Sequence, residues 1–328
     1  MKFGIIGTNF ISDWFADAAN ELRKRGEDIT LAGIFSRDRE RGENFAKKHG
    51  ILRSYTTLDD MLADGDIDAI YVASPTYKHA EQSIAAMNAG KHVLCEKMMA
   101  HALDAFLEMR RCAEEKGLIL LEAMRPEFDP VTDILKSNTS KIGAIRRSSF
   151  VFCQYSSRYD KFKAGDVQNA FDPKIYNSAL ADIGIYPLHL AVSLFGKPNK
   201  IRSTALFLKN GFLGSGEITL DYGGHISTVS YSKICDSAAP SVIDGENGSL
   251  TVDKISAPSR ISLKLRGEGE MPLEYAPDKM NMTYEILEFC RLIRENDLEA
   301  ARRYLGITEI CQRICDEVYK EVGAELGE

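Results

Sequence analysis

The stretch Lys2-Phe3-Gly4-Ile5-Ile6-Gly7-Thr8-Asn9-Phe10-Ile11-Ser12 joins a short apolar run to a glycine and then to an amphipathic segment. Residues 2–6 read as a buried strand, and Gly7 permits the tight turn that ends it. The apolar side chains that follow have the spacing of a buried helix face: Phe10, Ile11, Trp14, Phe15, Ala18 and Leu22. The pattern therefore predicts a strand, a glycine turn and a helix.

The same alternation continues to about residue 125. The further strand candidates are residues 29–35, 69–73, 92–94 and 118–122, and the helical candidates between them are 39–49, 57–64, 77–88 and 102–116. Strands and helices in regular succession predict a doubly wound parallel sheet. We therefore expect residues 1–124 to form a Rossmann dinucleotide-binding domain.

Beyond that point the runs become longer and alternate between apolar and polar residues. They cover residues 145–155, 200–208, 216–221 and 225–232, with helical segments at 178–194, 283–294 and 298–322. Such alternation is typical of an antiparallel sheet with one covered and one exposed face. The sequence thus predicts an α/β protein whose residues 125–328 form a second, α+β domain.

Composition narrows the functional classes. The chain has 328 residues, more than one core usually holds, and 41 basic against 48 acidic residues argue against nucleic-acid or membrane-surface partners. No stretch approaches the roughly 18 apolar residues of a membrane helix, so we expect a cytoplasmic protein. Seven scattered cysteines without a C-x-x-C pair predict no metal site.

Gly7 to Ser12 is a degraded form of the G-x-G-x-x-G motif, at the point where a dinucleotide fold requires it. Asn9 takes the second glycine position and tolerates positive φ, and Ser12 is small enough for close helix packing. The helix N-terminus would face the pyrophosphate. An ordinary strand-to-helix turn is the alternative.

The end of the second strand distinguishes between the two nicotinamide cofactors. An NAD site places a carboxylate there, whereas this chain has Ser36-Arg37-Asp38, which favours the 2′-phosphate of NADP and leaves NAD as the alternative. A solvated Arg37–Asp38 pair at a helix cap would explain the same residues.

Cys95-Glu96-Lys97-Met98 follows a short strand at the carboxyl edge of the sheet, where ligands of such folds bind. A lysine beside an oxidised nicotinamide would have a lowered pKa and could transfer a proton. A solvated Glu-Lys loop is the alternative.

Three further segments carry a family resemblance. Ala89-Gly90-Lys91-His92-Val93 leads into Glu96-Lys97, Ala179-Leu180-Ala181-Asp182-Ile183-Gly184-Ile185-Tyr186-Pro187 lies in the second half, and Ser74-Pro75-Thr76 precedes His79. In this order and spacing they resemble the Gfo/Idh/MocA oxidoreductases, nearest to the dihydrodiol and xylose dehydrogenases. The resemblance implies hydride transfer between NADP(H) or NAD(H) and a sugar, polyol or diol.

The resemblance also implies site residues. Lys97 matches the active-site lysine, Tyr186 the acid/base position, and Asp182 lies one helical turn before Tyr186. The expected cofactor-binding residues are Gly7, Thr8, Asn9, Phe10, Ile11, Ser36, Arg37, Ser74, Pro75, Thr76, His79, Glu96 and Lys97. The second domain would bind substrate and, through a large open sheet, form a homodimer, with a tetramer as the alternative.

The chain departs from the family pattern at Met98, where the family has proline, and at Tyr176-Asn177-Ser178, where it has three glycines. Because a cis bond before a non-proline residue is costly, we predict a trans bond after Lys97. The candidate substrate contacts are Arg125, Tyr155, Arg158 and Tyr176, and His189 is expected to pack in the core. NAD-assisted glycoside hydrolysis and a silent dinucleotide sensor are the alternative functions.

Overall fold

The computed structural model describes residues 1–327, which form two compact units. The first comprises Met1–Met124 and Asp278–Gly306, and the second comprises Arg125–Pro277 together with the C-terminal residues from Ile307. The first predicted domain also ends at Met124. The predicted second domain, residues 125–328, needs correction because residues 278–306 belong to the first unit.

The first unit is built on a six-stranded parallel sheet in the order β3-β2-β1-β4-β5-β6. Its strands are β1 Lys2–Ile6, β2 Thr30–Phe35, β3 Arg53–Tyr55, β4 Ala69–Val72, β5 His92–Glu96 and β6 Leu120–Ala123. Its helices up to Met124 are α1 Phe10–Lys24, α2 Arg39–His49, α3 Leu58–Leu62, α4 His79–Asn88 and α5 Leu103–Lys116. This is the predicted Rossmann sheet, and its strand order reverses between β1 and β4.

The second unit contains an eight-stranded sheet in the order β14-β13-β12-β11-β7-β10-β9-β8. Its strands are β7 Ile145–Cys153, β8 Lys200–Phe207, β9 Leu213–Asp221, β10 Ile226–Ser232, β11 Ser241–Gly245, β12 Gly248–Val252, β13 Ile261–Leu265 and β14 Glu270–Pro272. Its helices before Pro277 are α6 Arg125–Phe128, α7 Pro130–Asn138, α8 Tyr159–Lys163 and α9 Ile185–Phe195. Every neighbouring pair is antiparallel except β7 with β10, so the predicted mostly antiparallel sheet is confirmed.

Two helices end the chain, α10 Met282–Glu295 and α11 Leu298–Val322. α10 is amphipathic and packs against α1, and its Phe289 ring lies 6.0 Å from that of Phe3. The buried side chains Phe15 and Tyr71 stack beside Phe3 and extend this cluster. The apolar face of α10 therefore belongs to the core of the first unit, which is why the chain returns there.

A helix that crosses a bilayer needs about 20 predominantly apolar residues. No helix within residues 1–327 is both long and apolar enough to span a membrane.

Candidate active site

The turn after β1 brings the backbone close to the end of β4. Gly7 has φ +106°, and a Cβ atom on it would lie 2.7 Å from the carbonyl oxygen of Ala73. The side-chain amide of Asn9 donates to the same carbonyl at 2.7 Å. Only a glycine fits this close approach. The turn lies where the strand order reverses, and the space that a Cβ atom would fill suits the pyrophosphate of a dinucleotide.

Asn9 does not adopt the positive φ that its motif position suggested. Its φ is −93°, and its side-chain oxygen caps α1 by accepting from the N–H groups of Ile11 and Ser12. The capping preference of asparagine decides this conformation. Ser12 is fully buried, as close helix packing requires. Phe10 and Trp14 are exposed, so the predicted buried face of α1 is wrong at these two positions.

The residues expected to bind the adenosine ribose lie between β2 and α2. Ser36 is buried and lies close to the backbone of Gly42. A Cβ atom added to Gly42 would lie 3.1 Å from the Cβ atom of Ser36, so a glycine at position 42 permits this close packing. Arg37 is exposed, while Asp38 caps α2 by accepting from the N–H group of Arg41. Asp38 is therefore a helix cap, as the alternative explanation expected. The binding of the 2′-phosphate by Ser36 and Arg37 stays a prediction.

Arg41 is a residue that the sequence motif did not single out. Its guanidinium donates to the carbonyl oxygen of Thr8 at 2.9 Å, so it links the glycine turn to α2. Its charge therefore lies beside the same turn that Gly7 shapes.

His79 joins the loop after β4 to the loop after β5. Its ring nitrogens contact the carbonyl oxygens of Ser74 at 2.8 Å and Met98 at 2.9 Å. Burial lowers the pKa of His79, so the neutral ring donates to one of these carbonyls. Pro75 and Thr76 lie in this loop, with Thr76 opening a short 3₁₀ turn, Thr76–Lys78.

The backbone around Lys97 is held by buried carboxylates. Glu96 accepts from the hydroxyl of Tyr71 at 2.6 Å and from the N–H group of Lys97 at 3.2 Å, and Glu122 accepts from the N–H group of Met99 at 3.0 Å. The buried Glu96 excludes a solvated Glu-Lys loop as the whole explanation. Lys97 itself is half-buried at the carboxyl edge of β5.

The Lys97–Met98 peptide bond is cis, so the predicted trans bond is wrong. That prediction considered only the local preference of a non-proline bond. Tertiary contacts instead hold the backbone that follows this bond. His79 contacts the Met98 carbonyl oxygen, and Glu122 accepts from the Met99 N–H group.

Lys91, the lysine of the family-like segment before β5, has a structural role. Its ammonium is buried and donates to the carbonyl oxygens of Asp64 at 2.8 Å and Ile67 at 2.7 Å. It ties down the loop before β4, because buried carbonyls need a donor.

In the second unit, Asp182 and Tyr186 lie on one continuous helical stretch. A π-helical turn, Leu180–Gly184, carries Asp182, and the first turn of α9 carries Tyr186. Gly184 allows this stretch to approach the sheet, because a Cβ atom on it would lie 2.7 Å from the Tyr231 ring. Ser178 takes the place of the family's last glycine and accepts from the N–H group of Ala181 at 2.9 Å.

Arg125, one of the candidate substrate contacts, lies beside Tyr186. Its guanidinium donates to the Tyr186 hydroxyl oxygen at 3.2 Å, and its charge lies 5.7 Å from the ring centre. Because a guanidinium can only donate, this contact uses a lone pair of the tyrosine oxygen and not its proton. The Phe152 ring covers Tyr186 edge-on at 5.7 Å.

Asp182 pairs with Lys233, a residue that the sequence pattern did not single out. The Lys233 ammonium lies 2.7 Å from Asp182 Oδ2 and is buried. No local signal marks Lys233, because it follows β10 far along the chain from Asp182.

The other candidates have different surroundings. The Tyr155 hydroxyl bonds to Asp160 and Lys163, and Arg158 is exposed at the start of α8. Tyr176 adopts φ +60°, a left-handed conformation that glycine adopts more readily than tyrosine. His189 packs in the core as expected, 3.5 Å from Glu127, and burial lowers its pKa to about 3.

With this geometry established, known proteins supply the classification. A family model described as an oxidoreductase family with an NAD-binding Rossmann fold matches residues 1–124. Over 98% of its length the chain is 40% identical to the scyllo-inositol 2-dehydrogenase (NADP+) IolU of Bacillus subtilis (strain 168), covering 97% of that protein. The chain belongs to the Gfo/Idh/MocA oxidoreductase family.

Other known proteins are similar to this chain over almost its whole length. A trans-1,2-dihydrobenzene-1,2-diol dehydrogenase of Bos taurus is 27% identical, with 98% of this chain and 97% of that protein aligned. Among solved structures, a 3-ketoreductase from Actinomadura kijaniata in complex with NADP and TDP-benzene superposes with a TM-score of 0.83 at 20% identity, covering 98% of each chain. The family prediction and the fold prediction are thus confirmed, and the chain is an oxidoreductase.

Proposed function

We propose that this oxidoreductase transfers a hydride between NADP(H) and a hydroxyl or carbonyl group of a cyclic polyol, sugar or diol. The observation that carries the proposal is the hydrogen bond from Arg125 to the hydroxyl of Tyr186, one helical turn from Asp182. Oxidation of an alcohol requires a group that takes its proton, and reduction requires one that returns it. This arrangement supplies such a group.

The roles of the site residues follow from their chemistry. The nicotinamide, when bound, accepts or supplies the hydride. Tyr186 and Lys97 exchange the hydroxyl proton, and the Arg125 guanidinium stabilises negative charge that develops on the Tyr186 oxygen. Asp182, an acceptor when ionised, orients a substrate hydroxyl.

NADP is the preferred cofactor in this proposal. Ser36 stands where a carboxylate would meet the ribose hydroxyls, and the charges of Arg37 and Arg41 accompany it. The name of the Bacillus relative, which specifies NADP+, supports the same preference.

A polyol ring is the preferred substrate. The name of the 40% identical relative specifies scyllo-inositol, and the name of the bovine relative specifies a cyclic diol. Both names describe dehydrogenases, which favours net oxidation over the alternatives of NAD-assisted glycoside hydrolysis and a silent sensor.

The test is a fluorescence titration with NADPH and NADH, followed by turnover of scyllo-inositol, other polyols and diols with each oxidised cofactor. We expect tighter binding of NADPH by at least about tenfold, which is about 1.4 kcal/mol. Turnover should vanish in Lys97→Ala. In Tyr186→Phe, kcat should fall by about 10²- to 10⁴-fold, the usual size of proton-transfer catalysis.

A matched control is Tyr222→Phe, which removes a hydroxyl that donates to the carbonyl of Gly196 at 3.3 Å in the same unit. Its turnover should equal that of the wild type. Binding without net reduction of NADP+ would instead support the hydrolase or the sensor, and the absence of binding would contradict the proposal.

We further propose that the protein acts as a homodimer in the cytoplasm. Leu206 and Phe207 on β8 and Ile226 on β10 are exposed apolar side chains of the eight-stranded sheet, and a second subunit would cover them. Light scattering coupled to size-exclusion chromatography tests this: a monomer would contradict the dimer, and four subunits would support the tetramer.

A further inference from the structure

Lys233 follows β10 directly, and only 3% of its surface is exposed. Its ammonium donates to the carbonyl oxygen of Ala170 at 2.7 Å and lies 2.7 Å from Asp182 Oδ2. The aromatic rings of Phe171 and Phe212 face the same charge, with centres 4.9 and 5.4 Å away. Two oxygens and two ring faces thus surround one buried ammonium.

The burial of Lys233 makes this ion pair different from a surface pair. A charge removed from water must be compensated by close partners, so the ammonium holds both oxygens firmly. The ring faces add further attraction for the cation. Asp182, by contrast, keeps 38% of its side chain exposed. One of its oxygens is therefore fixed by Lys233 while part of the carboxylate remains accessible.

We propose that Lys233 is a positioning residue that holds the Asp182 carboxylate in the orientation in which it accepts a hydrogen bond from a substrate hydroxyl. The proposal rests on the proposed function, in which Asp182 orients the substrate. An ionised carboxylate only accepts hydrogen bonds, so its pairing with a buried cation assigns it this task and leaves proton exchange to Lys97 and Tyr186. Lys233 thereby acts on the reaction only through Asp182.

The test is a double-mutant cycle with Lys233→Met, Asp182→Asn and the double variant. Methionine keeps the length and apolar stem of lysine without its charge. We expect Lys233→Met to lower kcat/KM for scyllo-inositol with NADP+ by about 10- to 100-fold, the cost of losing substrate orientation. Asp182→Asn should lose a similar factor, and the double variant should be no worse than Asp182→Asn alone.

Two readouts separate positioning from a general structural effect. The affinity for NADPH should stay within about twofold of the wild type in all three variants, because Asp182 and Lys233 lie outside the Rossmann unit. Arg146→Met, which removes a cation from an exposed pair with Glu246 in the same unit, should leave kcat/KM unchanged. If Lys233→Met does not fold, Lys233→Arg replaces it in the cycle, since its larger head displaces Asp182 while keeping the charge.

The outcomes distinguish the two proposals. The positioning role would be overturned if Lys233→Met lowered kcat/KM by the same factor in the wild-type and Asp182→Asn backgrounds. It would also be overturned if Lys233→Met left kcat/KM unchanged while Asp182→Asn lowered it. A wild type that turns over no polyol, sugar or diol overturns the proposed function and this inference with it. Non-additive losses with unchanged NADPH affinity support the inference.

Discussion

Gly7→Ala is the substitution that tests the cofactor site most directly. A Cβ atom at Gly7 would lie 2.7 Å from the Ala73 carbonyl oxygen, whereas ordinary contact begins at 3.4 Å, so the turn must move by about 0.7 Å (3.4 − 2.7). The residue also has φ +106°, which costs alanine about 1–2 kcal/mol. The movement displaces the backbone that we expect to meet the pyrophosphate.

We expect Gly7→Ala to weaken NADPH binding at least about tenfold, equivalent to about 1.4 kcal/mol. The assay is the fluorescence titration of NADPH, with thermal unfolding measured on the same samples. Gly26→Ala is the matched control, because Gly26 has φ +98° and nothing within 4 Å of the added Cβ. It carries the backbone cost without the collision.

Gly26→Ala should therefore lose stability but bind NADPH with the wild-type Kd. If Gly7→Ala also binds NADPH with the wild-type Kd while it remains folded, the turn does not approach the cofactor and the reasoning is refuted. If both variants lose affinity equally, the backbone conformation and not the contact with Ala73 is responsible.

Three further substitutions test the expected ribose site, a buried histidine and the core of the first unit. Ser36→Asp places a carboxylate beside the expected 2′-phosphate, so the ratio of NADPH to NADH affinity should fall at least about tenfold; an unchanged ratio would contradict the assignment of Ser36. Burial lowers the pKa of His189 from 6.5 to about 3, so the unfolded chain binds the proton first and the free energy of unfolding falls as the pH drops from 6.5 towards 3. His189→Gln should reduce this pH dependence, measured by urea unfolding, by up to about 1.4 kcal/mol per pH unit. An unchanged pH dependence would exclude His189 as its cause. Phe289→Ala removes the ring that packs on Phe3 and should cost about 3–5 kcal/mol in urea unfolding, whereas the exposed Met280→Ala should cost little; equal losses would argue against α10 as core of the first unit.

Short-range sequence patterns predicted the buried strands of the Rossmann sheet and the longest helix, α11. The buried strands of the Rossmann sheet are short apolar runs, and the amphipathic spacing of α11 predicted its bounds at Leu298 and Val322. β3 has three residues, one exposed and two half-buried, and the hairpin strands β11 to β14 are three to five residues long, so their sequence signals are weak. The return of residues 278–306 to the first unit depends on which apolar face α10 meets, and helical spacing alone does not specify a partner.

The site shows the same division. Gly7, Ser36 and Lys97 follow strands of the parallel sheet, so their positions along the chain were enough to propose them, whereas Tyr186 was proposed from the family resemblance. The roles of all four residues stay predictions. Lys233 and Arg41 act through partners at distances of 51 and 33 residues along the chain (233 − 182 and 41 − 8), and nothing near them in sequence marks the contact. The cis bond after Lys97 likewise depends on contacts from other segments, of which His79 is one.

The return of α10 has a consequence for synthesis. A nascent chain that has emerged as far as Pro277 already contains all six strands of the Rossmann sheet, yet the helix that covers Phe3 is still missing. Domains that are continuous in sequence can fold one after the other as they leave the ribosome. In this protein the first unit is complete only after Gly306 has been added, and the second also needs residues from Ile307 onward, so neither unit can finish folding before most of the other has been synthesised.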